Sequence, residues 1–314
     1  MANTRTIRQA AKGAGRGRSS AESAAPGRLA PGLCVLAILV ALLAAYANSF
    51  QGRFVFDDGH AIVENEAIRT LWPPGEWLSA NSRPVANFTF ALNYALHGFD
   101  PWGWHAVNLA IHAGAALCLF ALLRRAFGDE RGPKWLRRSA TWAAGAAALL
   151  WAVHPLQTQS VTYIVQRMES LAGLCTLGTI LSIVRGAEAG RRRWPWYAGA
   201  IVVCALGMGV KETMATAPIV AIAFDRIFLA RSWRVLVRRR GWVYLGLCLT
   251  WPVMVGAHLA SGDPSESAGF GYREITPLRY LLSQPAVLLH YLRLAVWPHP
   301  LQVDYMWRGI TWVK

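Results

Sequence analysis

From residue 29 onward, long apolar runs alternate with short basic stretches along the chain. Pro31 to Asn48, Trp102 to Phe127, Trp135 to Val153 and Trp194 to Val210 each approach the roughly 20 residues that cross a bilayer as a helix. Ala215 to Ala230 is a shorter run, Arg231 to Arg240 reads as a basic cytoplasmic loop, and Trp242 to Ala260 is again full length. Tyr280 to Trp297 is interrupted by Pro285 and carries His290 and Arg293, so it reads either as a span or as a helix lying in the interface. Residues 159–184 are more polar. Gln159, Thr162, Gln166, Glu169 and Gly173 recur at steps of three and four, which predicts one polar helical face turned toward the protein interior. The pattern predicts an all-α polytopic membrane protein, a bundle of about seven to eight transmembrane helices. Between the first two spans, residues 50–100 read as a long polar and aromatic extracytoplasmic loop on the membrane surface, where tryptophan is favoured.

Composition strengthens this picture. Hydrophobic residues make up 54% and charged residues 16% of the 314, against about 25% charged in an average soluble domain. A net charge of +15 would suggest nucleic acid in a soluble protein. Here the arginines bunch at Arg5 to Arg28, Arg124 to Arg138, Arg185 to Arg193 and Arg226 to Arg240. Basic clusters between alternate spans follow from the positive-inside rule, so topology accounts for the charge without a nucleic-acid partner. Residues 1–28 read as a disordered basic cytoplasmic tail, and 29–314 as the transmembrane domain. The tail, the first span and Ala45-Tyr46-Ala47 also fit a cleaved signal peptide. Both readings put Asp57 outside the cytoplasm.

Five cysteines fall inside apolar runs with no metal-ligand spacing, the ordinary placement of buried thiols. The histidines show no zinc-type spacing either. A P-loop, a dinucleotide-binding glycine motif and a nucleophile elbow are all missing from the sequence.

The polar residues that remain collect on one side. Asp57 and Asp58, Arg83-Pro84, His97, His105, His154-Pro155 and Lys211-Glu212 all fall on the side opposite the basic clusters or at its membrane edge. Ionisable groups at membrane depth are costly and mark sites. A carboxylate suits a general base acting on a hydroxyl, and arginine or lysine suits a phosphate. Each also has a plainer reading. Asp57-Asp58 would cap a loop, His154-Pro155 would end a helix, Lys211-Glu212 would be an interfacial ion pair, and Arg167 with Glu169 would be a structural pair inside the bundle.

Five blocks occur in order: FVFDDGHAIVEN, RPVANFTFALNYALHGFDPWGWHAVNLAIH, HPLQTQSVTYIVQRMESLAG, KETMATAPIVAIAFDRIF and YLLSQPAVLLHYLRLAVWPHPLQVDY. Together they resemble the membrane half of the transmembrane-and-tetratricopeptide-repeat O-mannosyltransferases and their bacterial relatives, from about Phe50 to Tyr305. The resemblance implies a GT-C glycosyltransferase fold in a bacterial inner membrane, with a cytoplasmic N-terminus and an extracytoplasmic active site. It implies transfer of a sugar from a polyprenyl-phosphate donor to an extracytoplasmic hydroxyl, protein Ser or Thr among the acceptors, with the lipid bilayer as partner. By motif position, Asp57 would be the catalytic base and Asp58 its support or alternative. Arg83 and Lys211 would face the donor phosphate, and His154, Arg167, Glu169 and Glu212 would line the cavity. Proton abstraction by a carboxylate requires no cofactor, and a divalent cation at the phosphate stays compatible with it. The chain departs from the family in having Gln159 where glutamate is common. It also stops at Lys314, before the further spans and repeats, which predicts an incomplete domain.

Two other classes compete. A non-catalytic membrane scaffold, or a fragment of a repeat-bearing protein, would keep the fold without the chemistry. A transporter would use the polar stripe at 159–173 as a pathway, but the inverted repeats such proteins commonly carry are not visible.

Overall fold

The computed structural model describes residues 29–261, 276–302 and 305. The expected tail over 1–28 and most of the loop after Ser261 lie outside the described residues. Among those described, every regular element is helical and no strand occurs. The protein is an all-α membrane protein. Among the described residues, four helical segments are long and apolar enough to cross a membrane: Ala30–Gln51, Pro101–Phe127, Ile164–Glu188 and Trp233–Ser261. The other expected spans are present as helices that are shorter or more polar.

The main helices are α1 (Ala30–Tyr46), α2 (Pro84–His97), α3 (Pro101–Phe127), α4 (Ala140–Ala152), α5 (Arg167–Glu188), α6 (Arg193–Met208), α7 (Ala217–Phe228), α8 (Trp233–Cys248), α9 (Trp251–Ser261) and α10 (Pro277–Val296). Proline stands in the first turn of α1, α2, α3, α7 and α10, where its missing N–H would have had no partner in any case. The Asp100 carboxylate caps α3 by accepting from the Trp102 amide at 3.1 Å. Gly98, at φ 56°, ends α2 in the left-handed region that suits glycine.

Two sub-bundles share the pair α3 and α5, which pack directly on each other. On one side α1 and α4 join α3. Ala140, Ala144, Ala148 and Ala152 form a stripe at every fourth position of α4, all buried, and the core there is completed by Cys34, Ile38 and Leu42 of α1. Small residues let helix backbones approach closely where lipid supplies no hydrophobic drive. A Cβ added at Gly145 would stand 2.6 Å from Cys34 Sγ, so only glycine fits this crossing. On the other side α6, α7 and α8 pack around α5 with Cys175, Met208, Met214 and Leu247. A third cluster, comprising Ile62, Ile68, Phe90, Trp104, Ile164 and Val165, closes one end of the bundle and carries the candidate site.

Three expectations change. The stretch 50–100 is not one surface loop: it contains α2, whose Phe90, Ala91 and Asn93 are buried. The polar stripe from Gln159 to Gly173 is not one helical face. Helix Thr158–Thr162 stops at Tyr163, which is extended at φ −90°, ψ 110°, and a new helical segment starts at Ile164. The stretch 231–240 is not a loop. It is the first half of α8, capped by Ser232 Oγ accepting from the Val235 amide at 3.3 Å, because Arg240 has a buried partner on α7. Asp225 accepts from Arg240 Nε at 2.5 Å and from Nη2 at 2.6 Å, and from the Tyr244 hydroxyl.

Candidate active site at the start of the fifth helix

The start of α5, residues 163–169, is where the polar residues meet. An apolar loop precedes it and an arginine opens it, so the break at Tyr163 exposes backbone amides that a regular helix would have used internally. Asp58 supplies the missing acceptors. Its side chain is fully buried; Oδ1 accepts from the Val165 amide at 2.7 Å and Oδ2 from the Val55 amide at 3.1 Å. Burial, above all, raises the Asp58 carboxyl above the ordinary carboxylate range, the charge of Asp57 adds to this, and the amides of Val55, Val165 and Ile164 work against it.

Asp57 is the opposite case. Its side chain is exposed while its amide donates to the Tyr163 hydroxyl at 2.9 Å. Burial, then hydrogen bonding with Asp57 and the charges of Asp57 and Asp58, outweigh that amide and push the Tyr163 phenol up to about 12. The tyrosine therefore stays protonated at neutral pH. Phe56, just before the pair, has φ 46° and projects 71% exposed, an unusual backbone for a bulky residue and the kind of outlier that clusters at functional sites. Beside it opens a cavity of about 270 Å³, lined by Val55, Phe56, Thr158, Gln159, Tyr163 and Tyr305 among others.

The next turn of α5 meets the cations. Arg83 Nε and Nη2 each lie 3.2 Å from a different oxygen of Glu212, and Arg83 Nη1 reaches Met168 Sδ at 3.6 Å. Lys211 Nζ donates to Glu169 Oε1 at 2.6 Å. Burial raises the Glu212 carboxyl, but its own amide, the bond and charge of Arg83 and the charge of Lys211 outweigh it, so the net shift is downward. The Val85 amide donates to the Gly209 carbonyl at 2.9 Å, which pins the start of α2 to the end of α6 and holds these pairs together. Both cations thus face carboxylates, in a half-exposed cluster that solvent reaches.

Arg167 does not line a cavity. It is fully buried, with Nε donating to Asn108 Oδ1 at 2.7 Å and Nη2 to Asn93 Oδ1 at 2.6 Å. Nη1 and Nη2 also reach the Thr89 and Trp104 carbonyls, each at 3.2 Å. The guanidinium carbon stands 5.2 Å from the ring centres of both Phe90 and Trp104. Among the described residues no carboxylate pairs with it. Amide dipoles and aromatic faces, which attract cations, hold the charge instead. Asn108 turns its Nδ2 to the Val161 and Ile164 carbonyls, so one arginine ties α2, α3 and α5 to the broken loop. His154 is half-buried and its Nδ1 accepts from the Leu156 amide at 3.2 Å; it caps a turn, and its neighbours Pro155 and Leu156 reach the cavity.

The sequence reading missed Tyr163, Asn93 and Asn108. Asn108 carried a signal, since a polar side chain within an apolar span calls for a partner. Tyr163 carried none, because a tyrosine at a membrane edge is commonplace. Among the described residues no group of three or more His, Cys, Asp or Glu forms a metal-binding cluster.

With this geometry in view, the sequence profile described as dolichyl-phosphate-mannose-protein mannosyltransferase matches residues 81–258. Human protein O-mannosyl-transferase TMTC4 is 36% identical over 166 residues, covering 48% of this chain and 22% of the relative. Drosophila melanogaster protein O-mannosyl-transferase Tmtc2 is 31% identical over 204 residues, 57% of this chain and 20% of the relative. Human protein O-mannosyl-transferase TMTC1 is 32% identical over 199 residues, 59% and 21% respectively. The chain spans about a fifth of the length of these relatives. No solved structure matches it.

Proposed function

Because this chain belongs to the dolichyl-phosphate-mannose-protein mannosyltransferase family, we propose that it carries the membrane catalytic portion of a glycosyltransferase. It moves a sugar, mannose by the names of its relatives, from a polyprenyl-phosphate carrier to a protein Ser or Thr hydroxyl on the extracytoplasmic side of a bacterial inner membrane. The observation that carries this reading is the division of labour between adjacent carboxylates. Asp58 is consumed by backbone amides, whereas Asp57 is exposed and meets the Tyr163 hydroxyl, next to the cavity that Phe56 and Tyr163 line.

In this mechanism Asp57 is the base. The acceptor oxygen bonds to the anomeric carbon, its proton passes to the Asp57 carboxylate, and the bond from that carbon to the phosphate oxygen breaks. The electron pair leaves on the polyprenyl phosphate. Arg83 and Lys211 stabilise the departing phosphate, exchanging their contacts with Glu212 and Glu169 for phosphate oxygens. Their partial exposure keeps that exchange inexpensive, since such pairs are worth only about 0.2–1 kcal/mol. Asp58 acts as a positioning residue that holds the loop on the start of α5, and Tyr163 fixes the Asp57 backbone. Arg167 supports α5 from behind, and His154, Glu169 and Glu212 shape the rim.

The test is transfer of labelled mannose from a polyprenyl-phosphate donor in membranes holding matched amounts of wild type, Asp57→Asn and Asp58→Asn. Asp57→Asn is expected to insert and fold normally and to lose transfer by about 10²–10⁴-fold, the range of a positioned general base. Asp58→Asn is expected to lose thermal stability along with transfer, because an amide N–H replaces one of two acceptors. Full activity in Asp57→Asn rejects the mechanism. A folded but inactive wild type favours a scaffold, or a piece that needs the rest of its protein.

A further inference from the structure

A second cavity, larger than the one beside Phe56, lies far from Asp57, at the other end of the bundle. From Asn108 to Arg124 along α3 is sixteen residues, about 24 Å at the rise of an α-helix. Arg167 and Arg185 mark the same two ends of α5. The cavity is about 780 Å³, within the roughly 300–1,000 Å³ of ligand clefts. Arg124, Arg125, Arg131, Arg185 and Arg231 line it, against Asp129, Glu130 and Glu188.

Two of these arginines are already committed. Arg125 Nε bonds Glu188 Oε1 at 2.5 Å, joining α3 to α5, and Arg131 Nη2 bonds Asp129 at 2.7 Å within its own loop. The Arg131 hydrogen bond foremost holds the Asp129 carboxyl down at about 2. That leaves Arg124, Arg185 and Arg231, all exposed and without a carboxylate in ion-pair range among the described residues. Below them the wall is apolar, with Leu181, Val184 and Phe228. Helix dipoles favour arginine in a last turn, which accounts for Arg124 and Arg185 one at a time. It does not account for three unpaired arginines converging, with a loop residue, on one void with a greasy floor at the end of membrane-crossing helices.

We infer that this cavity binds a phosphate-bearing anion, and specifically the headgroup of an anionic phospholipid, with Arg124, Arg185 and Arg231 on the phosphate and the acyl chains running down beside α3 and α5. Basic pockets between transmembrane helices have the chemistry for such headgroups, and Leu181, Val184 and Phe228 give this one an apolar side, which a soluble anion would not need. The site is independent of the transfer chemistry.

The test is thermal stability of the purified chain in neutral detergent, with added phosphatidylglycerol, phosphatidylcholine or soluble pyrophosphate. Phosphatidylglycerol is expected to raise the midpoint in a saturable way, and phosphatidylcholine to leave it unchanged. The triple change Arg124→Gln, Arg185→Gln, Arg231→Gln is expected to weaken the response about tenfold, a discounted value for exposed charge contacts. A control with equal loss of charge outside the cavity, Arg138→Gln, Arg238→Gln, Arg239→Gln, is expected to keep it. Should the triple variant fail to fold, Arg231→Gln alone, on a loop, carries the comparison. Equal loss in the control, or equal response to both lipids, overturns the site. A response to pyrophosphate without one to phosphatidylglycerol overturns the lipid and keeps the phosphate.

Discussion

Arg167 shows how a single fully buried side chain can tie together the elements of a candidate site. Its guanidinium offers five N–H donors in a rigid fork, and four acceptors on α2 and α3 meet it. Lysine has the charge but not the fork. Arg167→Lys and Arg167→Ala are both expected to destabilise the protein by about 3 kcal/mol or more, since buried acceptors lose their donor. Thermal midpoints in detergent would check this, and a lysine variant as stable as wild type would show that charge alone suffices. The same scale separates the two aspartates. The pair Asp57-Asp58 was legible in the sequence, as was a carboxylate's fitness to act as a base. Which one is exposed was not, because adjacent residues differ only in which way the chain turns them. The fold turned Asp58 inward onto two amides.

Among the elements, the broken entry to α5 and the junction of α7 with α8 depart furthest from what periodicity predicts. The spacing of Gln159 through Gly173 satisfied a helix, yet backbone amides capped by a remote aspartate were more favourable than a continuous turn. Periodicity reports only contacts local to the helix. At the second junction, Asp225 of the short apolar run and Arg240 of the stretch that reads as a basic loop are fifteen residues apart. Both are buried in a pair completed by Tyr244. Breaking a buried pair leaves one charge stranded, so Asp225→Asn is expected to cost about 3–5 kcal/mol. The double change Asp225→Leu, Arg240→Met is expected to recover most of it. Unfolding midpoints of the single and double variants would decide, and a double variant worse than the single would mean the pair itself is net stabilising.

For the whole molecule, the proposed orientation puts the two ends of the bundle at opposite membrane faces. Thr158 lies at the Asp57 end and Lys134 at the arginine end, both exposed. In a chain whose own five cysteines are replaced, Thr158→Cys is expected to react with an impermeant thiol reagent from outside intact cells. Lys134→Cys is expected to react only once the membrane is opened. The reverse pattern would invert the orientation and remove Asp57 from the extracytoplasmic side. The two ends also differ in chemistry: one pairs its cations with carboxylates around a small cavity, and the other, among the described residues, leaves three arginines without a carboxylate around a larger one.

The sequence by itself determined the solvent of this protein, its helical class and its family. Those follow from composition, run length and ordered local blocks, which are sums over neighbouring residues. It also singled out several polar residues of the candidate site, since costly polar groups in an apolar chain stand out one by one. Only the tertiary structure decided their states: Asp58 spent on amides, Asp57 open, Arg83 and Lys211 held by carboxylates, Arg167 sealed among asparagines and aromatic rings. Each of those states depends on a partner 42 to 129 positions away in the chain, and no local pattern encodes a contact at that separation.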